Sequence, residues 1–424
     1  MAACRSTTEI EYKQIAKGKL DMSVRRQLEQ DGVIPHPTWQ NWHFATWDVE
    51  CFMEKRVNAM GREVSVHRLV SIGIKTSFGD TPEHYIEREN MDPIEVRPMM
   101  EEFLTTLTFM HAEMLEHIPE SIIKKEKGLR KIVKSKDFKN YSVADQSRIR
   151  NQHNYLADCL KLRVISWNGE RYDNNVVWAP LLDILQYCPE KFDRMSIIRR
   201  GTGIMQFEYG ELLFRDFLNY SCPMSLDKFA LSCGIESVSK TTFPYEYYHD
   251  IAELRNVTKF PPYSAFQSSL GKVAGNFSKE LVTIINENLE NGKWKDVEDV
   301  KKYFEFSFDF ALVEKDGRVE EVISREDEPL ANLLHTSPAK FFNSKEQFAT
   351  SCQTMSDYLR LYNLNDVILL EECVRTYAKG FFDSWQINIH DYMSLPGVSQ
   401  GEFLILVSLK DCYLNRFEFF KCVQ

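Results

Sequence analysis

No apolar run in this 424-residue chain is long enough to cross a bilayer, and Met1 to Leu20 lack the apolar stretch of a secretory signal. Both absences set the expectation of an intracellular, non-membrane protein. The ten cysteines, at 4, 51, 159, 188, 222, 233, 352, 373, 412 and 422, form no C-x-x-C and no zinc-type Cys/His spacing. They read as reduced, buried or incidental thiols. Positive charge is also short: 52 Lys and Arg face 62 Asp and Glu, a net charge of -10. That argues against a purely electrostatic nucleic-acid binder, but not against an enzyme with a local basic groove beside an acidic metal site. Internal repeats and low-complexity tracts are absent. What the chain does have is core material: 43% hydrophobic residues, with 28 Phe and 18 Tyr, enough for two or three domains.

One stretch organises the rest. Phe44-Ala45-Thr46-Trp47-Asp48-Val49-Glu50-Cys51-Phe52 reads as a mostly apolar strand with two carboxylates one residue apart. Side chains alternate along a strand, so Asp48 and Glu50 share a face. Two acids side by side repel unless something positive sits between them, and a bound hard cation is the usual answer. Alone, the pair reads more readily as a solvated strand edge.

Residues 1–40 read as a peripheral arm. Strands are expected over 43–51, 64–76 and 84–89, antiparallel and joined by short turns. A helix follows over 93–117, with Met99, Phe103, Leu107, Met110 and Met114 as a core stripe. The basic run from Lys124 to Lys139 is either a solvated helix face or a phosphate-contacting surface. A strand over 162–167 ends in an Asn168-Gly169 turn, and Asp173 stands where it hands over to an apolar helix in which Pro180 marks a kink or the first turn. Short strands fill 195–220, and Ser225 caps a helix. Residues 270–350 look like helices and loops. A long helix spans 354–381, with Leu361, Leu364 and Ile368 as its core stripe and Tyr362 and Asp366 on the neighbouring face. Leu395-Pro396-Gly397 suggests a strand and turn.

Four acids thus stand out in chain order: Asp48, Glu50, Asp173 and Asp366. Carboxylates of this kind suit two Mg²⁺ or Mn²⁺ ions, which together position a water and hold both oxygens of a phosphodiester displacement. A tyrosine beside the last acid can hydrogen-bond that water.

The order of these motifs resembles the three exonuclease motifs of family B DNA polymerases. They are Asp48-Val49-Glu50, Asn168-Gly169-Glu170-Arg171-Tyr172-Asp173 and Tyr362-Asn363-Leu364-Asn365-Asp366. Ser225-Leu226 with Phe229, Lys240-Thr241-Thr242-Phe243 and Phe243-Pro244-Tyr245-Glu246-Tyr247 are similar to hallmarks of the protein-primed subgroup. That subgroup serves linear plasmids, some viruses and Maverick/Polinton-type transposons. The resemblance covers roughly residues 41–385, with a helical insertion near 93–160 and another near 255–350.

It implies an α/β fold of the RNase H-like (DnaQ-like) type, a mixed β-sheet with flanking helices. It implies two divalent metal ions held by Asp48, Glu50, Asp173 and Asp366, and a 3′–5′ exonuclease acting on single-stranded or frayed DNA. Tyr362 would orient the attacking water, Lys240 would act near the scissile phosphate, and Glu50 would serve both as ligand and in catalysis. Asn168, Tyr172, Ser225, Leu226 and Tyr245 would grip the 3′ end, and a terminal priming protein becomes a possible partner. Two departures matter. Cys51 stands where the subgroup often has a DNA-contacting Thr. No Asp-x-x-Ser-Leu-Tyr-Pro and no Tyr-x-Asp-Thr-Asp occurs, so polymerisation is not expected; residues 386–424 resemble a lead-in to a palm domain. A catalytically inactive remnant that binds DNA or the priming protein is the alternative, and an RNase H-like nuclease acting on RNA is a third.

Overall fold

A computed structural model describes residues 24–35, 41–79, 83–187, 195–221, 223–235, 241–267, 276–385 and 388–397. In chain order, helix α1 (Val24–Gln30) precedes the strands β1 (Phe44–Val57), β2 (Glu63–Thr76) and β3 (His84–Glu87). Three helices follow, α2 (Val96–Glu116), α3 (Glu120–Lys134) and α4 (Val143–Cys159). Next come β4 (Leu162–Ser166), α5 (Asp173–Tyr187), and a meander of β5 (Met195–Arg200), β6 (Gly203–Tyr209) and β7 (Leu212–Asp216). The longer elements of the rest are α6 (Leu226–Ser232), α7 (Phe277–Glu290), α8 (Val297–Phe304), the hairpin β8 (Phe310–Lys315) and β9 (Arg318–Ser324), α9 (Pro338–Ser351) and α10 (Met355–Trp385).

Strands β1 to β7 form one mixed sheet in the order β3-β2-β1-β4-β7-β6-β5. β1, β4 and β7 are parallel at its centre, with antiparallel strands on both flanks. The protein is therefore α/β, a mixed seven-stranded sheet between helices.

The alternation along β1 sorts its side chains. Ala45, Trp47, Val49 and Cys51 enter a core shared with α2 and α5, where Met99, Phe103, Leu107, Met110, Met114, Val177 and Leu181 are buried. Phe44 and Phe52 enter the opposite layer, under α6 and α10. Each fully buried large side chain contributes about 1.5–3 kcal/mol, so the sheet is gripped from both sides. Asp48 and Glu50 fall on the α10 side.

Five expectations need correction. Residues 270–350 hold a β-hairpin as well as helices. Its two-residue turn is Asp316-Gly317, with φ of 53° and 78°, the left-handed pair that matches strand twist. Leu395 to Gly397 form a helical turn, not a strand. Pro180 lies well inside α5 and does not mark its first turn. The buried stripe of α10 is Tyr358, Leu359, Asn363, Val367, Leu370 and Val374, while Ile368 is 38% exposed. Apolar residue type misled there, because the buried face includes a polar residue. The third strand also stops at Glu87 rather than Glu89.

Of the arm, residues 24–35 are described: Leu28, Val33 and Ile34 are buried against Ile122, Leu129 and Leu156 of α3 and α4. Among the described residues, no helix is long and apolar enough to cross a membrane.

Candidate metal centre

β4 pairs with β1 only from Phe44↔Arg163 to Thr46↔Ile165. After Ser166 its chain turns away while β1 continues, opening a crevice at the carboxyl end of parallel strands, where α/β sheets place their sites. Asp48 and Glu50 stand just beyond the last β1–β4 pair, still held on the other edge by Gly73 and Ser71 of β2. α10 lies across this face. The Thr46 hydroxyl donates to the Val367 carbonyl at 2.8 Å, fixing the helix one residue from Asp366. One carboxylate oxygen each from Asp48, Glu50 and Asp366 then lie within 4.8 Å of one another.

The loop between β4 and α5 brings the fourth acid. Asn168 adopts a left-handed φ of 63°, which makes the turn. The Asp216 carboxylate at the end of β7 accepts the Glu170 N–H at 3.0 Å and also the Asn168 N–H. Glu170 is buried and ion-paired to Arg200 of β5. Gly203 makes room for it, since a Cβ there would lie 2.7 Å from the Glu170 Cγ. Asp173 opens α5 and its carboxylate accepts the Val49 N–H, a donor that β4 leaves behind by turning away.

Burial is the leading influence on Asp48, Glu50 and Asp173 and favours their neutral forms. Asp48 is held well above the usual range, first by burial and then by Glu50, Asp173 and Asp366. Glu50 is pushed up to about 8 by burial and then by Asp366, although hydrogen bonds from Tyr245 and Asp48 oppose this. Asp173 is pushed up to about 7 by burial, with Asp216 adding to it and the backbone N–H groups of Asp173 and Val49 opposing it. Carboxylates crowded this closely suit a hard divalent cation by number and by chemistry, since such ions take oxygen ligands and offset the repulsion. The acidic cluster of Asp48, Glu50 and Asp366 could hold one.

Two adjoining clefts meet at Asp48, Asp366, Trp167 and Asn168. One, of about 280 Å³, is lined by Glu50, Cys51, His67, Tyr172, Asp173, Tyr245 and Tyr362. The other, of about 400 Å³, is lined by Ser225, Leu226, Met224 and Leu370. So Asn168, Tyr172, Tyr245, Ser225 and Leu226 all border the acids, but on two sides of them. Ser225 stands at the N-cap position of α6, yet its hydroxyl makes no cap hydrogen bond. Tyr245 hydrogen-bonds Glu50 and Tyr362, so its hydroxyl belongs to the acid side of the cleft. Lys240 lies outside the described residues. The segment after it is anchored: the Thr242 N–H donates to Ser344 Oγ at 2.8 Å, and the Tyr358 hydroxyl donates to the Thr242 carbonyl at 3.0 Å.

Sequence reasoning missed three neighbours. His67 Nδ1 is 2.9 Å from the Tyr172 hydroxyl, which also meets the Cys51 thiol. Cys51 is thus occupied by Tyr172, and burial pushes its thiol up. Trp167 packs on Phe229 with ring centres 5.0 Å apart and borders both clefts. Asn363 donates to Asp48. Trp167 and Asn363 sit directly beside motif residues, a signal that was there to read; nothing local pointed to His67.

Comparison with family models, curated proteins and solved structures returns no match in any of the three.

Proposed function

We propose that this chain is the 3′–5′ exonuclease portion of a protein-primed family B DNA polymerase, with an RNase H-like fold. The observation that carries the reading is the convergence of Asp48 and Glu50 with Asp366, more than 300 residues away in sequence, to within 4.8 Å. A core of parallel β1, β4 and β7 beside an antiparallel β1-β2-β3 meander supports the fold assignment.

Asp48, Glu50, Asp173 and Asp366 would hold two Mg²⁺ or Mn²⁺ ions. Bound there, the ions supply charge for the attacking and leaving oxygens of the phosphodiester. The protein's own groups do the rest. Tyr362 orients the water, and Tyr245, bonded to both Tyr362 and Glu50, fixes that orientation. The water oxygen bonds to phosphorus as the water gives up one proton to solvent, the bond to the 3′ oxygen breaks, and that oxygen takes one proton from solvent as the mononucleotide leaves. Asn168, Tyr172, Ser225 and Leu226 hold the end of the strand, where aromatic stacking tolerates any base. Lys240 is assigned to the scissile phosphate on the motif alone. Neither polymerisation nor a contact with a priming protein is assigned to a described residue.

The test is degradation of a 3′-labelled single-stranded oligonucleotide in Mg²⁺ or Mn²⁺, beside Asp48→Ala/Glu50→Ala. Labelled mononucleotide from the wild type alone is the expected result. Folded wild-type protein that releases none, with metal present, overturns the reading in favour of a binding remnant. Equal cleavage of RNA favours the ribonuclease instead.

A further inference from the structure

Asn363 follows Tyr362 on α10 and is fully buried. Its Nδ2 donates to Asp48 Oδ2 at 3.2 Å and to the Asp48 carbonyl at 3.3 Å. Its Oδ1 is buried without a hydrogen-bond partner. A polar atom left so costs stability, and an apolar residue at this helix position would avoid the cost. The sheet is shaped around it. Gly73 sits directly across the ladder from Asp48, and residues paired across antiparallel strands share a face. A Cβ on Gly73 would lie 2.7 Å from Asn363 Oδ1, 3.1 Å from its Cγ and 3.2 Å from its backbone oxygen. Glycine inside a strand is itself unfavourable. Two locally poor choices therefore meet at one point, and their joint product is a donor on Asp48.

We infer that Asn363 is a positioning residue for the metal centre and that Gly73 is the gap that admits it. This rests on the metal-dependent reading above. A carboxylate that ligates must present one oxygen in a fixed direction, and a hydrogen bond to its other oxygen fixes that direction. The amide suits this task because it is neutral. A Lys or Arg in its place would neutralise Asp48 and compete with the metal for it. The amide holds the carboxylate and leaves its charge available.

The experiment measures Mn²⁺ binding by the disappearance of the free-ion paramagnetic resonance signal. It uses wild type, Asn363→Leu, Asn363→Ala, Gly73→Ala and the double variant Gly73→Ala/Asn363→Ala, each verified as folded by circular dichroism. Asn363→Leu keeps the volume and removes the donor. It raises the Mn²⁺ Kd by about tenfold or more, the usual penalty for losing a group that orients a ligand. Gly73→Ala, which alters no polar group, does the same by displacing Asn363, and it serves alone if Asn363→Leu does not fold. On the Asn363→Ala background, Gly73→Ala adds less than about twofold, because coupled sites do not add. The Mn²⁺ concentration for half-maximal degradation of single-stranded DNA shifts in parallel. Wild-type affinity in Asn363→Leu, or independent addition of the two substitutions, overturns the inference while leaving the metal reading intact. A wild type that binds no Mn²⁺ overturns both.

Discussion

Asp48, Glu50 and Asp173 are acids placed where burial and mutual repulsion favour the uncharged form. Unfolded carboxyls titrate near about pH 4. The neutral forms therefore add stability that is complete below about pH 4 and is lost as pH rises through about 7 for Asp173 and about 8 for Glu50. In EDTA, Asp48→Asn/Glu50→Gln removes the repulsion. Its melting temperature exceeds that of the wild type by an amount that widens from about pH 5 to 8, equivalent to about 1–2 kcal/mol at neutral pH. Excess Mn²⁺ reverses the order, since only the wild type binds it. Thermal melts across pH, with and without metal, check both signs. Tyr362→Phe keeps the ring and removes the hydroxyl that orients water. It lowers the rate by about 10–10²-fold and leaves the Mn²⁺ Kd within twofold, read from single-turnover rates and metal titration.

At the scale of elements, the loop from Asn168 to Asp173 carries the fourth acid and is held by β5, β6 and β7 as well as by hydrogen bonds within itself. Removing the partner of buried Glu170 with Arg200→Ala destabilises the protein by about 1–2 kcal/mol. Adding Glu170→Gln recovers part of that loss, as urea midpoints show. This loop marks how far the sequence is readable. Alternation gives β1 and the shared face of Asp48 and Glu50, and the Asn168-Gly169 turn gives the position of Asp173. The clamp is not readable, because Asp216 and Gly203 act across pairings formed by residues 30 to 50 positions away. α10 was legible as a helix but not in its buried face. A stripe chosen by apolar type takes Ile368 inside, whereas Asn363 is inside. The β8–β9 hairpin carried its own local signal in Asp316-Gly317.

At the scale of the molecule, charge is distributed in a way that the net value hides. The lysines from Lys124 to Lys139 lie on and after α3, whose buried residues are Ile122, Glu126 and Leu129. Lys124 pairs with Glu120 of the same helix. None of these lysines lines either cleft, so the solvated-face reading is the one the geometry favours. Lys124→Glu/Lys127→Glu/Lys131→Glu leaves the rate of single-stranded DNA degradation, and its dependence on salt, within about twofold. Loss of three phosphate contacts would instead change the salt slope by about two.

The crossing of α10 over β1 has a consequence for the making of the protein. Asp48 and Glu50 leave the ribosome before Asp366, Tyr362 and Asn363, which follow more than 300 residues later. At about 5–20 residues per second, the strand waits tens of seconds for the helix that completes it. A nascent chain short of Asp366 has its sheet material but only part of its ligand set. On the proposed reading, a chain cut short of Asp366 cannot digest DNA, because the acidic cluster closes only when α10 has been made.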